Sequence, residues 1–217
     1  PLSVKWLPDG RMLVAEKQGR LWAVKNGVKH STPMWAGDAE VLSNFDRGLL
    51  DVAVDPNYAQ NRYIYLLYTV DPDTNLADDN GDGFGRLTRY QVSAVDSNVF
   101  DPSTRTILMG VDWPNGPLIA SPSHTVGALR WGSDGSLLVS TGEGAQFFAL
   151  DPGGLDSAAF GVGRTDPYED IGAFRSQYLG SLAGKILRID PATGLGLPSN
   201  PYWDGNATSP RSKVWAY

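Results

Sequence analysis

Short apolar and aromatic runs, each cut off within a few residues by a turn signal, dominate this chain from its first residue. Residues 2–7, 11–16 and 20–25 read as strands, separated by Pro8-Asp9-Gly10 and Lys17-Gln18-Gly19. Asn26-Gly27 marks a further tight turn, leading to a weaker fourth strand near 29–35. Four antiparallel strands taken in sequence make one blade of a β-propeller. With 25 Gly, 15 Pro, seven Trp and nine Tyr in 217 residues, the composition agrees with an all-β fold of short aromatic strands and many turns.

The pattern repeats. Residues 49–54, 62–70, 86–93 and 104–109 supply four strands of a second blade. A polar insertion at 71–85 separates two of them and contains Asp78-Asp79-Asn80-Gly81-Asp82-Gly83. Asp78, Asn80 and Asp82 stand at the first, third and fifth positions of a turn, a spacing suited to a hard cation such as calcium. The twelfth position of an EF-hand loop is Arg89 and no flanking helices are visible, so an EF-hand is excluded. A simpler calcium loop and a solvated Asp/Asn/Gly turn both fit. A third blade opens with two runs, 126–131 and 136–141, joined by Gly132-Ser133-Asp134-Gly135. It is interrupted by a long excursion at 144–179, a length that points to a functional or mobile loop. The charges of Arg164, Asp166, Glu169 and Asp170 in that excursion suit either a sugar hydroxyl or a solvated loop. The blade resumes with the strand in 180–190, whose Lys185 and Arg188 alternate with apolar residues and are expected on one sheet face or a blade edge. It ends at 213–217. The blades then fall at about 1–35, 45–110 and 124–217, three in a single domain.

The third-blade hairpin carries the best candidate for chemistry. His124 stands just before its first strand and Glu143 just after its second. Antiparallel pairing brings the two to the same end. A carboxylate beside an imidazole fixes its tautomer and favours its protonated form, as a general base requires. A surface His with an incidental Glu nearby has the same signature.

The stretch Ser123-His124-x-x-Gly127-x-Leu129-x-x-Gly132-x-Asp134-Gly135-x-Leu137-x-Val139-x-x-Gly142-Glu143 resembles the glucose/sorbosone dehydrogenase family. So do the opening phrase at residues 7–21, the Gly48-Leu49-Leu50 segment with Asp55-Pro56 where the family has His-Pro, the Gly184-Lys185-Ile186-Leu187-Arg188-Ile189-Asp190 strand and the Asn200-Pro201-Tyr202 loop. The resemblance implies a six-bladed propeller, secreted or periplasmic, that oxidises aldose sugars or oligosaccharides by hydride transfer to pyrroloquinoline quinone. It implies that His124 is the base and Glu143 its support, with Glu where the best-known members have Asp. Asp46 fills a cofactor-facing place held by Gln in the glucose dehydrogenases; an anion there repels an anionic quinone unless a cation compensates, and bracing the turn is an equal alternative. The resemblance covers nearly the whole chain but only the first half of the family fold. The family's cofactor calcium and most of its quinone contacts lie in the other half. The chain is therefore expected to be completed by the remaining half of the propeller or by a complementing chain. A non-catalytic extracellular propeller that binds carbohydrate or protein is the alternative from another functional class.

A net charge of −6 disfavours nucleic acid and anionic membrane surfaces as partners. No run approaches membrane-spanning length, and Pro1 leaves open a leader removed upstream. Cysteine is absent, which excludes disulfides and thiolate metal sites. Asn206-Ala207-Thr208 is a glycosylation sequon if the source is eukaryotic. Gly161-Val162-Gly163 lacks a strand-to-helix context, and no Gly-x-Ser-x-Gly surrounds Ser123, so phosphate-loop and hydrolase-elbow readings fail.

Overall fold

The computed structural model describes residues 1–72 and 82–217. Three antiparallel sheets follow one another along the chain. The first contains β1 (Ser3–Trp6), β2 (Met12–Glu16), β3 (Arg20–Lys25), β4 (Val28–Lys29) and β5 (Trp35–Ala36). The second contains β6 (Leu49–Val54), β7 (Tyr63–Val70), β8 (Gly83–Val92), β9 (Phe100–Met109) and β10 (Leu118–Ile119). The third contains β11 (Val126–Trp131), β12 (Leu137–Thr141), β13 (Ile186–Ile189) and β14 (Val214–Ala216). In each, the strands pair outward in chain order from the first, except that β5 pairs β3 and β10 pairs β8, and among the first strands β6 lies against both β1 and β11. This is the up-and-down blade order of a β-propeller, and the described residues form three blades. Among the described residues no helix is long and apolar enough to cross a membrane.

The core forms where blades stack face to face. Ile64, Leu66, Tyr68 and Val70 of β7 pack with Leu13, Leu21 and Trp35 of the first blade. The alternate residues Tyr65 and Leu67 pack with Leu129, Leu137 and Val139 of the third. A strand covered on both faces needs no polar alternation, which is why residues 63–70 read as a nearly continuous apolar run. Trp131 seals the second interface: its ring meets Tyr65 edge-on at 5.3 Å and its Nε1 donates to the carbonyl of Val54 at 2.8 Å.

Several expectations need correction. The weak fourth strand of the first blade is two fragments, β4 and β5, both paired with β3. Between them lies Pro33, which has no N–H for a ladder, and His30 Nδ1 is turned onto the Thr32 backbone. β8 begins three residues earlier than residue 86, inside the expected insertion, at Gly83. Gly85 belongs to this extension; a Cβ there would lie 2.3 Å from Val126 Cγ1 of the third blade. β9 begins at Phe100 and runs through Pro102, because Pro102 sits in a register shift opposite Arg89 and Gln91 where a missing N–H costs nothing. β10 is a fifth strand that the reading omitted.

The charge of Lys185 is not on a sheet face. Lys185 is buried, and its Nζ donates to the carbonyls of Arg175, Ser176 and Ala183 at 2.7, 3.0 and 2.9 Å. Burial pulls its pKa down to about 8, which still leaves it protonated at neutral pH. Arg188 does lie on the sheet face, where it pairs with Asp134 and reaches Asn200 Oδ1 at 2.7 Å.

A buried carboxylate ties the three innermost strands together. Asp51 Oδ1 accepts from Ser3 Oγ at 2.6 Å and Lys5 Nζ at 2.9 Å on β1. Its Oδ2 accepts from the Leu129 N–H at 2.8 Å and Arg130 Nη1 at 3.1 Å on β11. Asp51 sits at a register shift in β6, and β11 shifts register between Val126 and Leu129, so both bulges turn polar groups into the junction.

Candidate active site

β10 pairs with the start of β8 and then delivers the chain into Ser121-Pro122-Ser123-His124, immediately before β11. β12 ends at Thr141 and leads into Gly142-Glu143-Gly144 beside it. The hairpin register places Val126 opposite Thr141, and the two flanking loops continue the ladder: Gly142 N–H donates to Thr125 at 2.6 Å and Gly144 N–H to the carbonyl of His124 at 3.0 Å. Glycine is required at 142, since a Cβ would lie 2.1 Å from the His124 carbonyl oxygen.

His124 and Glu143 meet. The imidazole Nδ1 is hydrogen-bonded to Glu143 Oε1. The His124 side chain is 41% exposed and that of Glu143 24%, so the pair sits at an open surface with the ring accessible from solvent. His124 has φ of +54°, the left-handed region, which a residue without glycine's freedom occupies only when its surroundings hold it there.

Asp46 is part of what holds it. Asp46 Oδ2 accepts from Ser123 Oγ at 2.9 Å and from the His124 main-chain N–H at 3.2 Å. The Asp46 carbonyl accepts from Thr125 Oγ1 at 2.7 Å, and its own N–H donates to the Pro122 carbonyl at 3.1 Å. The sequence brings Asp46 to mind as a cofactor contact or as a brace for its own turn; the structure has it bracing the neighbouring blade's loop. Lys17 donates from Nζ to the carbonyl of Phe45, so a cation stands beside this acidic segment.

Beside the imidazole lies an apolar surface that sequence reasoning missed. Phe147 meets the His124 ring edge-on at 6.2 Å, Phe148 meets Phe147 at 5.4 Å, and Phe45 meets Phe148 at 6.0 Å. All three phenylalanines are exposed. The doublet Phe147-Phe148 in a polar, glycine-rich stretch is the signal that marks it.

The excursion at 144–179 is organised by short 3₁₀ turns at Ser157–Ala159, Pro167–Glu169 and Gly172–Gln177. Its charges are largely engaged within the protein. Arg164 faces Asp82 at 3.5 Å and covers the Trp113 ring at 4.8 Å. Asp166 caps the second turn, and Asp170 accepts from the Gly154 N–H at 2.7 Å. Glu169 is bonded to Ser181 Oγ, and burial pushes its pKa up to about 7.

Of the proposed cation ligands, Asp78 and Asn80 lie outside the described residues. Asp82 is described, facing Arg164. Among the described residues no group of three or more His, Asp or Glu side chains is placed to hold a metal ion.

The chain is similar to several proteins, over two thirds or more of its length. An uncharacterised protein of Synechocystis is 28% identical over 227 residues, covering all of this chain and 46% of that protein. Aldose sugar dehydrogenase YliI of Escherichia coli is 29% identical over 147 residues, 67% of this chain and 36% of that protein. The PQQ-bound aldose sugar dehydrogenase of Streptomyces coelicolor superposes with a TM-score of 0.59 at 22% identity, covering 95% of this chain and 48% of that one, which shows the shared fold. The chain thus spans about half the length of these relatives, or less. The family model described as Glucose / Sorbosone dehydrogenase matches residues 1–217 from end to end, and the chain belongs to that family.

Proposed function

We propose that the protein carrying this chain oxidises aldose sugars at the anomeric carbon with pyrroloquinoline quinone, and that His124 is the general base. The observation that carries this reading is the hydrogen bond between His124 Nδ1 and Glu143 on an open surface. A carboxylate can only accept at neutral pH, so Nδ1 carries the proton and the Nε2 lone pair is left to act. Nε2 takes the proton of the anomeric hydroxyl, and Glu143 stabilises the imidazolium that results. When bound, the quinone supplies the acceptor for the hydride that leaves the same carbon. The PQQ-bound Streptomyces relative supports that choice of cofactor.

The residues present fit one side of such a group. Phe147 and Phe148 offer exposed aromatic surface next to His124, suited to a planar ring system. The Asp46 carboxylate already accepts two hydrogen bonds, and Lys17 lies on the adjoining carbonyl, which reduces its repulsion of an anion. Asp46 would serve such a group by holding the His124 loop in place. The remaining contacts come from the rest of the ring, which we place against the uncovered faces of the first and third blades, where Val4, Trp6, Ile186 and Trp215 are exposed. The spacing of Asp78, Asn80 and Asp82 supports a calcium loop.

Reconstitution tests the function. The full-length apoprotein is mixed with pyrroloquinoline quinone under anaerobic conditions, and the quinone absorbance is followed on addition of aldoses. Reduction that needs both protein and aldose is the expected result. A quinone that binds yet stays oxidised with every aldose would overturn the reading.

A further inference from the structure

Glu143 is flanked in the chain by two glycines, which lend it no side-chain restraint, and Gly144 is itself left-handed with φ of +62°. The ladder bonds of Gly142 and Gly144 to the 124–125 backbone hold one edge of this stretch. The carbonyl of Glu143 points the other way, and there it accepts from Arg175 Nη1 at 2.8 Å.

Arg175 is an unusual residue to spend on one carbonyl. It is 1% exposed, and burying a guanidinium is costly unless its charge and donors are met. Its Nε donates to the carbonyl of Glu169 at 2.7 Å, and its guanidinium lies 5.6 Å from the centre of the Phe160 ring. Asp151, Asp156, Glu169 and Asp170 of the same excursion face its charge. Its 3₁₀ turn is pinned from below: Lys185 grips the carbonyls of Arg175 and Ser176, and Gly184 packs against Ser176 so closely that a Cβ would lie 2.7 Å from the Ser176 Cα. A continuous path therefore runs from the leader of β13, through Lys185 and Arg175, to the main chain of Glu143 and on to Nδ1 of His124.

We propose that Arg175 is a positioning residue for the reaction: the long excursion between β12 and β13 folds around it to fix Glu143 against the imidazole. The proposal rests on the reading of His124 as the base. A guanidinium fork is needed because two diverging carbonyls, of Glu143 and Glu169, must be reached at once from one buried side chain. A lysine at 175 keeps the charge and loses that reach.

The test uses the full-length, quinone-loaded protein and its Arg175→Lys, Glu143→Gln and doubly substituted variants, with ¹⁵N spectra of the His124 ring alongside kinetics. In the parent protein the neutral ring is expected as the Nδ1–H tautomer. Arg175→Lys is expected to fold, to shift the ring toward the Nε2–H tautomer, and to lower kcat by ~10–100-fold with KM changed by less than ~3-fold, as misplacing a catalytic group does. The double variant is expected to be no slower than Glu143→Gln alone, because both changes break one link. An Arg175→Lys variant with the parent tautomer and rate overturns the proposal, as do additive losses in the double variant. Failure of Arg175→Lys to fold overturns it too, since Arg175 would then serve the scaffold alone. His124→Ala turning over at the parent rate would overturn the base reading instead, while the tautomer shift would still report the hold of Arg175 on Glu143.

Discussion

The carboxylate of Asp46 accepts the main-chain N–H of His124 at 3.2 Å, and so links the loop before the innermost strand of the second blade to the corresponding loop of the third. These two loops lie far apart in sequence and share no covalent restraint. The same oxygen takes the Ser123 hydroxyl, and the pair of bonds helps keep His124 at a positive φ. Asp46→Ala removes the acceptor of both bonds. We expect kcat to fall by ~10-fold with little loss of stability, because Asp46 is exposed and the blade interfaces are untouched. Asp46→Asn keeps an oxygen acceptor and should recover most of the rate. Steady-state kinetics with thermal melts on the same samples check this; a parent-like rate in Asp46→Ala contradicts it.

Asp51 is expected to matter for folding. Removing one partner from a buried, hydrogen-bonded charge cluster costs ~3–5 kcal/mol, so Asp51→Ala should be strongly destabilised in urea unfolding. Burial works against the Asp51 charge, but the Leu129 amide, Ser3, Lys5 and the Val52 amide outweigh it and hold the pKa below the ordinary value. A depressed folded pKa gives stability that is present above the unfolded value of about 3.9 and is lost as pH falls through the folded one. Asp51→Asn should therefore be less stable than the parent at pH 7 and lose less of its stability on acidification. Equal acid sensitivity in both proteins would show that Asp51 does not carry this term.

Glu169 has the opposite sign. Its folded pKa is raised to about 7, chiefly by burial, against 4.5 for the free group. The folded state then binds more protons than the unfolded one between these values, so stability falls as pH rises from about 4.5 to 7, by up to ~3 kcal/mol. Glu169→Gln keeps a partner for Ser181 and removes the titration. It should gain on the parent at pH 8 and match it near pH 4.5, measured by urea midpoints across that range. A constant difference at all pH values would contradict the assignment.

The reading from sequence succeeded where side-chain pattern alone sets structure. Turn signals and apolar runs locate β2, β3, β6, β7, β11 and β12 to within a residue or so, because each of these strands lies in a blade whose partners follow directly in the chain. The meeting of His124 and Glu143 follows from the same hairpin logic. What escaped is what depends on contacts between blades or on bulges. Asp51 reads as one polar residue inside a strand, and nothing local shows that Ser3, Lys5 and Leu129 will converge on it. The apolar run at 104–109 gives no sign that its strand starts before Pro102, and only the register shift makes that proline harmless. Lys185 reads as a charge on a sheet face or blade edge, and Arg175 stands in no motif, because their partners are backbone carbonyls, which every sequence contains and none advertises.

The central claim is that His124 takes a proton as the sugar is oxidised, and stopped-flow reduction of the bound quinone by an aldose tests it most directly. In the full-length protein His124→Ala should reduce the quinone ~10²–10⁴-fold more slowly than the parent, the usual contribution of a general base. Its melting temperature should be nearly unchanged, since the side chain is 41% exposed at the end of a hairpin. Glu143→Gln should lose less, because the imidazole remains while its orientation and charge stabilisation weaken. Quinone reduction by folded His124→Ala at the parent rate would contradict the account, and loss of reduction only through loss of folding would make His124 a structural residue instead.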